Sequence, residues 1–325
     1  MKEVYFIIPE FDHAITGGTL YDNNLVLELK KYHILIREVR VDHKINSILL
    51  HKKINEIPKR SAILIDGYLV NKIRTRITNR LNILIHHPCS MEISNNQMSN
   101  INLYLSERKA FNSAESIITV SKTMKKVLLK YLDRYKKICV AYPGIDKIFC
   151  KQEINKDSKN ILSVGNVIPR KGYHILIEAL NRVTEDWTLT IVGNYEMDKM
   201  YYDNLKRLII KNKMHERIEF KGSMKPSEII SEIKKSKFFI LLTKYEGFGM
   251  SIAECAAAGL EIITTDLPVL REVLRNYPVD FVDLEDLDNI SKKINEKLSR
   301  NLVNAKNQDI VYNWSHTAKK IKQSL

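Results

Sequence analysis

Short apolar runs alternate with longer stretches whose apolar residues recur at helical spacing, and this alternation continues along the whole chain. In the first half the runs at 4–8, 34–39, 62–65, 82–85, 116–120 and 138–141 read as strands. The second half offers 160–164, 188–192, 218–220, 238–242, 261–264 and 279–282. Strands apolar on both faces, separated by amphipathic stretches such as 173–183 and 200–211, predict parallel sheets covered on both sides. Two doubly wound α/β domains are the economical arrangement for 325 residues. A turn-rich stretch at Tyr142-Pro-Gly-Ile-Asp146, followed by the polar run 151–159, marks the boundary. The expected domains are 1–148 and 149–308, facing across a cleft lined by the carboxyl ends of the strands, where such sheets bind ligands.

Composition narrows the class. With 44% hydrophobic residues the chain can fill two cores. No run of about twenty apolar residues exists to span a bilayer, and Met1-Lys-Glu leads directly into a strand without a signal-peptide pattern. Cys89, Cys139, Cys150 and Cys255 are scattered, without the spacing of zinc ligands, and read as reduced thiols. The expectation is a cytoplasmic protein. The net charge of +14 is uneven: residues 1–150 carry +10 and residues 151–325 carry +4. A basic first half points to an anionic partner, such as the inner face of a membrane. In residues 121–137, Met124, Val127, Leu128, Tyr131, Leu132 and Tyr135 recur at helical spacing among lysines and an arginine, as in a basic amphipathic helix that either lies on an anionic membrane or covers a sheet with a solvated basic back. No aromatic-basic nucleic-acid motif accompanies the charge, so nucleic acid is not expected as a partner.

Candidate chemistry concentrates after predicted strands. Glu246-Gly-Phe-Gly-Met-Ser-Ile-Ala-Glu254 follows the strand at 238–242 and enters a small-residue helix. Glycines at a helix N-terminus aim backbone N–H groups at one point, which favours an anion such as a diphosphate. Glu246 stands in the turn, within reach of sugar hydroxyls, and Glu254 lies two turns into the helix, suited to a ribose diol. Asn160 to Gly172 is a strand ending in a loop with Gly165 and the adjacent cations Arg170 and Lys171, placed to neutralise a leaving diphosphate. Ile15-Thr-Gly-Gly-Thr-Leu-Tyr-Asp22 repeats the glycine logic with Gly17 and Gly18. Asn82-Ile-Leu-Ile-His-His-Pro88 puts His86 and His87 at a strand end; successive side chains diverge there, and His86 is favoured.

Taken together, these segments resemble the family 4 (group 1) retaining glycosyltransferases, with their Glu-Gly-Phe-Gly signature and second glutamate, their VGxxxxRKG segment, and a TGGxxYD loop like that of a bacterial subgroup. The match continues through Ser106 to Ala110, Thr119 to Lys122, Tyr142 to Asp146 and Asn313-Trp-Ser315. Cys255-Ala-Ala-Ala and Glu261 depart from the family's usual Ala-Met-Ala and Pro. The resemblance implies a GT-B fold, with residues 309–325 returning as a helix to the first domain. It implies transfer of a sugar from a nucleotide-diphosphate donor to a glycan, glycolipid or protein acceptor, with neither metal nor cofactor. His86 and Glu246 become the candidate catalytic residues. Gly17, Gly18, Arg170, Lys171, Gly247, Phe248 and Gly249 become donor-phosphate ligands, Glu254 the ribose ligand, and His87 and Gly165 further candidates. A nucleotide-sugar epimerase of the same fold and a polyanion-binding protein are the alternatives.

Overall fold

The computed structural model describes residues 3–11, 16–92, 97–300 and 312–325, and for 97–99 only the backbone. The chain divides into one unit of residues 1–144 and 312–325 and a second of 145–311. The expected boundary at 308/309 and Ile15 of the glycine loop lie outside the described residues.

In the first unit β1 (Glu3–Glu10), β2 (Leu35–Asp42), β3 (Ala62–Asp66), β4 (Arg80–Ile85), β5 (Ser116–Thr119) and β6 (Ile138–Val140) form one sheet in the order β2-β1-β3-β4-β5-β6. Every neighbouring pair is parallel. Helices α1 (Gly17–Lys31), α2 (Ser47–Asn55), α3 (Gln97–Ser113) and α4 (Lys122–Leu129) connect the strands. Phe6, Ile7, Ile63, Leu64, Ile83 and Leu84 are fully buried, as strands covered on both faces require.

The last helix, α11 (Trp314–Lys322), belongs to this unit. It docks where Gly144 leaves room: a Cβ there would stand 2.3 Å from the Trp314 nitrogen. Trp314 meets Tyr21 of α1 edge to face at 5.3 Å, and Thr317 donates a hydrogen bond to the Asn313 carbonyl at 3.2 Å.

The second unit repeats the plan with β7 (Asn160–Val164), β8 (Thr188–Val192), β9 (Ile218–Gly222), β10 (Phe238–Leu241), β11 (Glu261–Thr265) and β12 (Val279–Val282) in the order β12-β11-β10-β7-β8-β9. Again all pairs are parallel. Its helices are α5 (Tyr173–Leu180), α6 (Lys199–Lys211), α7 (Pro226–Lys235), α8 (Met250–Ala258), α9 (Pro268–Val273) and α10 (Leu287–Ser299). In each unit the direction of winding reverses once, between β1 and β3 and between β7 and β10. Doubly wound sheets bind ligands outside the carboxyl ends of the strands at that reversal.

The basic helix expected over 121–137 is corrected by the structure. It stops at Leu129, because the chain then turns to bury Tyr131 and to spend Lys136 on the carbonyls of Phe111, Asn112 and Ala114. Among the described residues no helix is long and apolar enough to cross a membrane.

Glu261, which stands where a proline is usual, has a structural explanation. At the first residue of β11 its Oε2 accepts from Lys297 at 2.6 Å, and Lys297, 2% exposed, also reaches Asp280 at 2.7 Å. Removing this buried cation leaves Glu261 only Arg300, at 2.5 Å, and Asp280 only Lys293, at 3.3 Å, both nearer the surface. Lys297→Ala is expected to destabilise the second unit by about 3–5 kcal/mol, read as a lower urea midpoint with an unchanged slope.

Candidate functional site

The winding reversal of the second unit brings together two segments far apart in sequence. The loop after β7 ends in a turn over Pro169–Lys171 and enters α5 through Gly172, whose φ of +70° is left-handed. Only glycine fits there, since a Cβ would lie 1.9 Å from the Leu242 carbonyl oxygen at the end of β10. The loop after β10 enters α8 through Gly249, also left-handed.

Polar contacts then join the two loops. The Lys244 N–H donates to the Arg170 carbonyl at 2.8 Å, and Arg170 Nη1 donates to the Tyr245 carbonyl at 2.7 Å. Lys171 Nζ lies 2.6 Å from Glu246 Oε1, and Arg170 Nη1 3.6 Å from the same oxygen. Ser251 of α8 closes the assembly onto β7 by donating to the Val164 carbonyl at 2.8 Å.

The electrostatics follow from burial. Desolvation by itself would push the Glu246 carboxyl up, but the charges of Lys171 and Arg170 outweigh it and hold the group below its ordinary range. Burial lowers Lys171, and Glu246 only partly restores it. Arg170 keeps its Nε buried without a hydrogen-bond partner. Two cations, a compensating carboxylate and the N-terminus of α8 thus share one strand edge, an arrangement suited to a polyvalent anion.

The other predicted residues fall around this cluster. Gly247 and Phe248 complete the turn into α8, with Phe248 buried. The Gly165 carbonyl accepts from the Tyr173 hydroxyl at 2.7 Å. Glu254 is half-buried on α8; desolvation, aided by the Asp146 charge, pushes its carboxyl up to about 8.

In the first unit Gly17 and Gly18 are the opening residues of α1, not a free loop. Thr16 caps the helix: its Oγ1 accepts from the Thr19 N–H at 3.1 Å, and its own N–H donates to Thr19 Oγ1 at 2.9 Å. The orphan N–H groups of this first turn lie at the winding reversal. His86 and His87 diverge as expected. His87 Nε2 pairs with Glu92 at 2.9 Å, whereas His86 Nε2 stands 3.2 Å from Asp22 Oδ1 and 3.3 Å from Asp66 Oδ2.

Asp22 and Asp66 were not singled out by sequence. One sits in α1 and the other ends β3, and only the strand order brings both to His86; the nearest signal was Asp22's place in the Thr-Gly-Gly motif. Their donor atoms lie within 4.8 Å of one another. The imidazole already stands against both carboxylates and supplies the positive charge the group needs.

Residues 144–315 match the family model described as Glycosyl transferases group 1. The chain is 25% identical to an uncharacterized glycosyltransferase of Methanocaldococcus jannaschii, MJ1178, over 95% of this chain and 94% of that protein. It is 27% identical to the O-antigen chain mannosyltransferase RfbU of Salmonella typhimurium over 49% of this chain and 44% of that one. Among solved structures, sucrose-phosphate synthase from Thermosynechococcus elongatus superposes with a TM-score of 0.77 at 13% identity, covering 100% of this chain and 95% of that one. Anabaena HepE in complex with UDP and glucose superposes with a TM-score of 0.69 at 17% identity and the same coverage.

The buried pair makes a pH-dependent prediction. Glu246 is held low in the folded protein, so its pairing stabilises the fold above the ordinary glutamate range and is lost as pH falls through the lowered value. Lys171→Met leaves Glu246 only its longer 3.6 Å contact with Arg170 and is expected to cost about 1–3 kcal/mol at neutral pH, and less near pH 4, where Glu246 takes up a proton. Urea unfolding at the two pH values checks this, and an equal cost at both would show that Glu246 is not the partner at stake.

Proposed function

We propose the following reaction for this chain, which belongs to the group 1 glycosyltransferase family. It transfers a sugar from a UDP- or GDP-linked donor to a hydroxyl of a glycan, glycolipid or protein, with retention of configuration and without a metal ion. The observation that carries the proposal is the convergence of Arg170 and Lys171 on Glu246 beside the N-terminus of α8. Fixed cations at a developing diphosphate charge supply what a metal would. In this reading Arg170, Lys171 and the N–H groups from Gly247 to Gly249 hold the diphosphate, with Phe248 bracing the turn. Glu246 exchanges part of its ion pairing for sugar hydroxyls, and Glu254 takes the ribose diol. In the first unit Gly17 and Gly18 offer N–H groups to phosphate or acceptor, and His86 serves the reacting sugar. The O-antigen mannosyltransferase relative favours a place in surface-glycan or glycolipid synthesis, and the HepE complex with UDP-glucose favours a uridine donor.

A thermal-shift screen of UDP-, GDP- and ADP-sugars tests the donor. Chelation by EDTA should leave transfer intact, and product analysis separates transfer from epimerisation. For UDP, Arg170→Ala should weaken calorimetric affinity by about 1.5–3 kcal/mol; unchanged affinity would defeat the phosphate assignment.

Glu254 gives a second readout. With its carboxyl pushed up to about 8, the carboxylate that accepts from a diol becomes available only as pH rises. UDP affinity should therefore increase toward pH 8, and Glu254→Gln should flatten that rise.

For the membrane, Leu129 at the end of α4 and Tyr135 beyond it are exposed and adjoin the exposed Lys130 and Arg134 in sequence. We assign this surface to anionic lipid. Co-sedimentation with anionic but not neutral vesicles at low salt, abolished by Lys126→Glu with Lys130→Glu, is the expected result.

A further inference from the structure

The charge arithmetic around His86 carries a further step, which rests on the reading that His86 serves sugar transfer. Asp22 is fully buried and Asp66 is 3% exposed, and both touch the same imidazole nitrogen. Two ionised carboxylates and one imidazolium would leave a net negative charge out of water, which a protein avoids by retaining a proton on one acid.

The hydrogen bonds indicate which acid keeps it. Asp66 Oδ1 accepts the Tyr68 N–H at 2.6 Å while Oδ2 faces His86, so both of its oxygens are served as a carboxylate. Asp22 Oδ1 faces His86, but its Oδ2 is buried without a hydrogen-bond partner. An ionised oxygen in that position would forfeit its solvation entirely, whereas a neutral carboxyl loses far less.

We propose that Asp22 is a positioning residue held as a neutral carboxylic acid against His86, so that Asp22, Asp66 and His86 together carry no net charge and His86 stands as an imidazolium donating to the substrate. With Nε2 engaged by the two acids, Nδ1 is the remaining donor, and it has no partner among the described residues. The ring is held from α1 as well: a Cβ on Gly18 would stand 3.1 Å from His86 Cδ2, and Tyr21 meets the imidazole edge to face at 5.1 Å.

The titration directions agree. Burial first, then the Asp66 charge, pushes Asp22 up to about 8. Hydrogen bonds to His86 overcome burial and hold Asp66 low. Burial would depress His86, but the two acids raise it to about 10. Tyr21, the other titratable group against the ring, is raised by burial and keeps its proton, its hydroxyl donating to the Ala141 carbonyl at 2.9 Å. Cys139, near Tyr21, is likewise raised.

A neutral acid and an amide are nearly the same group, which makes Asp22→Asn the decisive variant. Infrared difference spectra of the ligand-free protein, wild type minus Asp22→Asn, should show a protonated-carboxyl band that fades as pH rises through about 8, the contribution of Glu254 cancelling because both proteins carry it. With the donor selected by the thermal-shift screen, Asp22→Asn should keep kcat at neutral pH and lack the wild-type decline above pH 8. Asp22→Ala should lose kcat by about tenfold or more with KM for the donor unchanged.

Absence of the band, or an Asp22→Asn variant as slow at neutral pH as Asp22→Ala, would overturn the proposal by showing that an ionised carboxylate is needed there. If the band behaves as expected but no nucleotide sugar is turned over, the protonated Asp22 stands and the assignment to sugar transfer falls.

Discussion

Parallel pairing is the constraint from which the rest of this structure follows. A parallel strand cannot be joined to its neighbour by a tight turn, so each connection crosses a face of the sheet as a helix and returns to the starting edge. Every helix that follows a strand therefore begins at the carboxyl edge, and the orphan N–H groups of those helices collect there. Where the winding reverses, two such connections diverge and leave a gap. The loops after β7 and β10 border one gap, and α1 and the end of β3 border the other. The candidate chemistry of each unit lies at its gap.

The same balance of charges operates in both places with different partners. In the second unit two cations face one buried carboxylate, leaving an excess positive charge suited to an incoming diphosphate. In the first, two acids face one imidazole, and neutrality requires a retained proton. Neither arrangement is a stability device in the first instance. A buried ion pair roughly breaks even against apolar packing, so its value lies in holding a charge where a ligand will meet it.

The twelve strands were legible in sequence to within three residues at each end, because strands buried on both faces write continuous apolar runs; the largest miss is the end of β2, read at 39 and found at Asp42, an edge strand with exposed polar positions. The helix over 121–137 was not. Tyr131 and Leu132 kept the helical period, but the period cannot reveal that Lys136 is needed to cap the carbonyls at the end of α3. The loops after β7 and β10 were visible as separate motifs, yet the ion pair between Lys171 and Glu246, 75 positions apart, is a product of strand order. Asp22 and Asp66 were missed for the same reason: each is an ordinary acid in its own segment, and its partner lies on another strand.

The buried set of Glu261, Asp280 and Lys297 uses the same residue types as the carboxyl-edge clusters, but Glu261 opens β11 and so lies at the opposite edge of the sheet. No helix begins there after a strand, and Lys297 comes from the last turns of α10. Its ammonium is buried between two carboxylates at close range, with Arg300 and Lys293 completing the set from the outside. Position relative to the winding, more than residue type, separates charge that holds the sheet together from charge held ready for a substrate. Glu261 holds its cations at the amino edge, while the glycines and cations at the carboxyl edge shape the joined loops after β7 and β10.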